Sequence, residues 1–178
     1  MSILSIYFLA FLVLLSIIYY IVPNKIKPII ILAGNIYFYV QFGFKYCFFL
    51  LFSIITVFFG ALLIEYIKKQ LYKKIILFAV LFLNIGFLFY VKFTPYLLNI
   101  AQKIIDFNPE GILKTVIVPI GIAFYTLQLS GYLIDVYKEK YKAEKNFLKF
   151  TAFSTFFPLM LQGPISRYDQ LANQIYNK

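Results

Sequence analysis

The chain has 178 residues, 62% of them hydrophobic and 13% charged, a balance that excludes an ordinary soluble domain and, with its long apolar blocks, points to a polytopic membrane protein. Seventeen Lys and Arg against seven Asp and Glu give a net charge of +10. The cations sit in short runs between apolar blocks rather than in a soluble basic domain, which excludes nucleic acid as a partner and reads as membrane topology, with the lipid bilayer as first partner.

The first block, Ile3–Val22, is ILSIYFLAFLVLLSIIYYIV, without a charge. At 1.5 Å per residue it covers about 30 Å, one hydrocarbon core. It lacks the basic start and small-residue cleavage site of a signal peptide, so a retained helix is expected. The turn PNKIKP (Pro23–Pro28) closes it. Blocks Ile29–Phe44 and Tyr46–Ile64 are together too long for one span and require a hairpin. EYIKKQLYKK (Glu65–Lys74) reads as an interfacial connection, followed by a fourth block, Ile75–Val91. In KFTPYLLNIAQKIIDFNPEG (Lys92–Gly111), residues Leu97, Leu98, Ala101, Ile104 and Ile105 recur at helical spacing, which predicts a short amphipathic surface helix. A fifth block, Ile112–Ile134, is interrupted by Pro119 and two glycines. DVYKEKYKAEKN (Asp135–Asn146) leads to a sixth, Phe147–Leu161.

The expected fold class is therefore an all-α integral membrane protein, one membrane domain over residues 1–178 with about six spans (3–22, 29–44, 46–64, 75–91, 112–134 and 147–161) and short interfacial helices. Counting cations on alternate sides gives eleven (Lys25, Lys27, Lys68, Lys69, Lys73, Lys74, Lys138, Lys140, Lys142, Lys145, Lys149) against four (Lys45, Lys92, Lys103, Lys114). The positive-inside rule then puts the N-terminus outside.

Polar chemistry concentrates in the fifth block, VPIGIAFYTLQLSGYLIDVYK from Val118. Gly121, Tyr125, Gln128, Tyr132 and Asp135 fall within roughly an 80° arc of a helix. Such a face must point into protein or a water-filled cavity. Two readings stand: interhelical glue, with Gly121 permitting close approach, and the wall of a substrate tunnel. Pro119 predicts a break in the span. Near the end, FPLMLQGPISRYDQL carries Pro158 and Pro164, with Gly163-Pro164 expected to end a helix just before Arg167. Arg167 reads as a headgroup anchor, paired with Asp169 or Asp135, or as a clamp on an anionic donor.

Cys47 is the single cysteine, which precludes an intrachain disulfide and a thiolate metal site. There is no histidine, so the commonest general base and metal ligand are both missing. No catalytic residue, metal site or bound cofactor is assigned. Walker, GxGxxG and Ser-elbow motifs are missing too. The spans hold almost no mid-span charge, which argues against a small ion-coupled transporter.

Two stretches, Pro119–Lys138 and Phe156–Tyr168, resemble the membrane-bound O-acyltransferase family in its bacterial branch that O-acetylates alginate, peptidoglycan and other cell-surface polysaccharides. That branch carries PxGISFYTFQ…SYxIDVYRG followed by FFPxxxxGPIxRYxxx. Here Ala123 stands for the usual Ser and Leu127 for the Phe. YVKFTPYLLN (Tyr90–Asn99) is similar to the family's YFKY segment, and the branch that D-alanylates teichoic acids matches less well. The resemblance implies the N-terminal part of a larger enzyme of the bacterial cytoplasmic membrane, with a catalytic histidine beyond this region. It also implies an acyl donor, acetyl-CoA or an acyl carrier. By itself the 178-residue chain is expected to be inactive, as a truncated enzyme or half of a split one whose partner is the missing C-terminal half. The alternative is a non-catalytic membrane partner or scaffold subunit of an envelope acetylation system.

Overall fold

The computed structural model describes residues 6–23, 26–42, 44–104, 121–156 and 167–170. Among these, the elements are all helices: α1 (Ile6–Ile21), α2 (Lys27–Phe42), α3 (Phe44–Tyr66), α4 (Gln70–Ile104), α5 (Ile122–Tyr137) and α6 (Phe147–Ser154). Pro28 lies in the first turn of α2, where a backbone N–H has no intrahelical partner to lose.

α3 sits at the centre, packed by α2, α4, α5 and α6. α1 flanks α2, and α4 also lies along α5. Ile54, Val57, Ala61 and Ile64 of α3 form the heart of the core with Leu129 and Leu133 of α5 and Phe150 and Phe153 of α6. α3 and α4 approach closely at Gly60, where a Cβ would lie 2.8 Å from Val80 Cγ2. One turn further along α4, Asn84 Nδ2 donates to Thr56 Oγ1 at 3.1 Å and to the Val80 carbonyl at 3.0 Å.

The outside is apolar. Val13, Leu14 and Ile17 of α1 and Phe78, Phe82 and Phe89 of α4 are exposed. So much apolar surface is incompatible with water and fits lipid. Residues Cys47–Tyr66 and Gln70–Leu98 are long and apolar enough to cross a membrane. α1, α2 and α5 have 16 residues each, about 24 Å of helix. The chain is an all-helical membrane protein.

Three expectations change. First, the interfacial connection expected at 65–74 is shorter: residues 67–69 link α3 directly to α4, and the helix ends take up the rest. Second, the surface helix expected after the fourth block continues α4, which runs unbroken over 35 residues with Pro95 inside it. A helical proline frees the carbonyl four residues back, here Val91, and the neighbouring Thr94 hydroxyl donates to the Tyr90 carbonyl.

The third concerns the sixth block. α6 has eight residues, about 12 Å. It starts at the lysine-rich end, N-capped by Asn146, whose side chain accepts from the Leu148 and Lys149 amides. Its far end reaches the middle of α2, where Asn35 meets Thr155. Tyr168 packs beside α6, its hydroxyl donating to Glu144 and its ring against Tyr132, Tyr141 and Phe153. The described part of the expected sixth span is thus an eight-residue helix, and residues 157–161 of that span lie outside the described residues. Pro119, Pro158, Gly163 and Pro164 lie outside the described residues, as does all of the expected fifth block before Gly121.

Candidate functional site

α5 begins at Ile122 because Gly121 adopts a left-handed backbone, φ 73°. Gly121 is therefore the residue before the helix, serving its entry angle, rather than a member of the polar face as the spacing implied. The other four predicted members share one buried face. Tyr125 is 1% exposed, Gln128 and Tyr132 2%, and Asp135 8%. The chain covers this face itself, with α3, α4 and α6, so it is not left to lipid.

The face has two halves of different character. At the lysine-rich end the polar groups are bonded. The Tyr132 hydroxyl accepts from the Glu144 amide at 2.8 Å, and its ring packs 4.8 Å from Phe150 and 5.2 Å from Tyr168. Asp135 pairs with Lys140, Nζ to Oδ1 at 2.5 Å, so it is not the partner expected for Arg167. Arg167 is exposed at this same end, close enough for its charge to act on Tyr141. Burial, then the Asp135 carboxylate, pushes the Tyr141 phenol well above its usual range, while Arg167 acts the other way. The loop between α5 and α6 is tied down twice more. Lys73 Nζ meets Glu139 Oε1 at 2.7 Å, and Glu65 Oε2 accepts from the Ala143 amide at 2.6 Å.

In the interior the polar groups are fewer and less satisfied. Gln128 Nε2 donates to the Phe153 carbonyl at 3.4 Å, while Gln128 Oε1 and the Tyr125 hydroxyl find no partner among the described residues. Asn35 donates to the Ala152 carbonyl at 3.4 Å and to Thr155 Oγ1 at 2.9 Å. Two side-chain amides from two helices therefore donate to carbonyls in the last turn of α6, and the Phe153 carbonyl also accepts from the Phe156 amide at 3.3 Å. Motif reading missed Asn35. The available signal was an Asn amid the apolar residues of the second block, a costly placement unless it is bonded.

Chemically, this region offers buried hydroxyl and amide groups, able to accept or donate hydrogen bonds but not to act as a base near neutral pH. No group of three or more His, Cys, Asp or Glu able to hold a metal occurs among the described residues.

Comparison with known proteins supplies the family. Probable alginate O-acetylase AlgI of Azotobacter vinelandii is 28% identical over 183 residues, covering 98% of this chain and 36% of that protein. The corresponding protein of Pseudomonas aeruginosa is 30% identical over 169 residues, covering 90% and 31%. The peptidoglycan O-acetyltransferase of Helicobacter pylori is 26% identical over 172 residues, covering 83% and 32%. The chain is homologous to these bacterial O-acetyltransferases. The resemblance read from the motifs, to the O-acetylating branch of the membrane-bound O-acyltransferases, is thereby shown. The chain spans about a third of the length of these relatives. No family model matches it, and no solved structure does.

Proposed function

We propose that this chain forms the scaffold part of a membrane-bound O-acetyltransferase that moves an acetyl group to hydroxyls of a cell-envelope polysaccharide. The observation that carries this reading is the similarity to alginate and peptidoglycan O-acetyltransferases over 83–98% of the chain. The donor is an activated acetyl thioester, on coenzyme A or an acyl carrier. The setting is the cytoplasmic membrane of a bacterium, with the N-terminus outside, which the eleven-to-four lysine asymmetry favours.

O-acetyl transfer needs a base to take the proton of the attacking hydroxyl. The 178 residues contain no histidine, and the buried Tyr125 and Gln128 are not bases at neutral pH. The base is therefore supplied by chain outside these residues, contiguous or separate. Within this part, the Tyr125 hydroxyl and Gln128 Oε1, without partners among the described residues, form the polar wall of the transfer path, Arg167 at the cationic end receives the anionic donor, and Tyr132 and Asp135 hold that end in shape.

The test is transfer of radiolabelled acetyl from acetyl-CoA or a loaded acyl carrier to alginate and peptidoglycan fragments. The 178-residue chain in proteoliposomes should give background counts. The same chain joined to or co-expressed with the C-terminal part of the Azotobacter relative should give turnover. Turnover by the 178-residue chain alone would overturn the assignment of the base. No turnover in the complemented form, with both parts folded together, would favour a non-catalytic partner.

A further inference from the structure

At the lysine-rich end each carboxylate described between Glu65 and Glu144 has a partner within the chain, although Glu65 and Glu139 are exposed. Glu65 accepts from the Ala143 amide, Asp135 pairs with Lys140, Glu139 pairs with Lys73, and Glu144 accepts from the Asn146 amide and the Tyr168 hydroxyl. The lysines outnumber them. Lys68, Lys69, Lys74, Lys138, Lys142 and Lys145 are exposed, and none has a carboxylate partner among the described residues. They come from two segments about seventy residues apart, fastened side by side by the Lys73–Glu139 and Glu65–Ala143 contacts. The result is one cationic rim of six lysines, with the exposed Arg167 and Asp169 nearby.

The level of the rim identifies what neutralises it. Lys68 and Lys69 occupy the three-residue link between two helices long enough to cross a membrane, so they stand at the bilayer boundary. Tyr66 and Tyr72 flank that link, 86% and 51% exposed, and Lys69 Nζ lies 5.9 Å from the Tyr72 ring centre. Exposed tyrosines beside lysines are the chemistry of the headgroup layer, with the ring at the apolar edge and the hydroxyl among polar groups. A surface built to dock a water-soluble acidic protein has no use for tyrosines placed that way. We infer that this rim binds the phosphates of anionic phospholipids, and that the loop between α5 and α6 rests on a headgroup layer that the six lysines collect.

Native mass spectrometry of the 178-residue chain, released from nanodiscs of mixed phosphatidylglycerol and phosphatidylcholine, tests this. The wild-type chain should retain phosphatidylglycerol in preference, and the preference should vanish in high salt. Changing all six lysines to Gln should lower retention about tenfold or more. Lysine-to-arginine changes at the same positions should keep it, and Lys92→Gln at the opposite end of α4 should leave it unchanged. If the Gln variant does not fold, the salt titration and the Arg variant of the intact chain still decide. Equal retention of both lipids by the wild type would overturn the inference. So would displacement of phosphatidylglycerol by equimolar inorganic phosphate, which would mark a free-phosphate site. A third overturning result is lysine-dependent capture of an acidic soluble protein in phosphatidylcholine discs with no lipid preference.

Discussion

Asn35 is fully buried and serves two acceptors of α6, a carbonyl and a hydroxyl. Asn35→Ala removes the amide donor from both, leaving the Thr155 hydroxyl only its bond to the Thr151 carbonyl. The expected loss is about 1–2 kcal/mol of stability in mild detergent, the upper part of the range for interhelical hydrogen bonds in membranes. Gln128→Leu is the informative contrast. It removes one long hydrogen bond and one oxygen that has no partner among the described residues, so the stability change should stay within about 1 kcal/mol. If Gln128 lines the transfer path, acetyl transfer by the complemented enzyme should still fall severalfold. An unchanged rate with unchanged stability assigns Gln128 to packing alone. The polar face of α5 was legible in the sequence because its members recur at the helical period among apolar residues. Asn35 and Asn84 were not, because a single amide in an apolar run has no period to reveal it, and its partners lie 28 to 120 residues away.

Helix contacts turn on how freely a neighbour can give way. A Cβ at Gly34 would meet Leu15 Cδ1 at 2.7 Å, the far end of a flexible side chain, whereas a Cβ at Gly60 would meet the stiff, β-branched Val80 at 2.8 Å. Gly60→Ala should therefore cost about 1–3 kcal/mol, clearly more than Gly34→Ala, with thermal unfolding of the two variants in one detergent as the measurement. The Lys73–Glu139 pair fastens the loop after α5 to the start of α4. Its hydrogen bond to Lys73, then the lysine's charge, holds the Glu139 carboxyl below its ordinary value. A carboxyl whose folded value is lowered stabilises above the unfolded value, and that contribution disappears as pH falls through the folded one. Midpoints of the wild type and Glu139→Gln should differ slightly at neutral pH and converge in acid. A constant offset would show that the ion pair is not its source. Block lengths revealed the helical hairpins, but not that α4 continues through Pro95. Continuity through a proline depends on local hydrogen bonding such as that of Thr94.

For the molecule as a whole, composition and the apolar blocks revealed the class, and the two motif stretches revealed the family. The alternation of basic connections placed residues 65–74 and 138–146 on one side, and the contacts between them bear that grouping out. Of the sixth block, the residues after Phe156 lie outside the described ones. The shortness of α6 has a bearing on how the protein is made. Asn35 and Gln128 both leave the ribosome before α6 does, so the donors that receive its last carbonyls are already in the bilayer when it arrives. A helix too short to hold its own place in lipid thus enters a berth prepared by earlier parts of the chain.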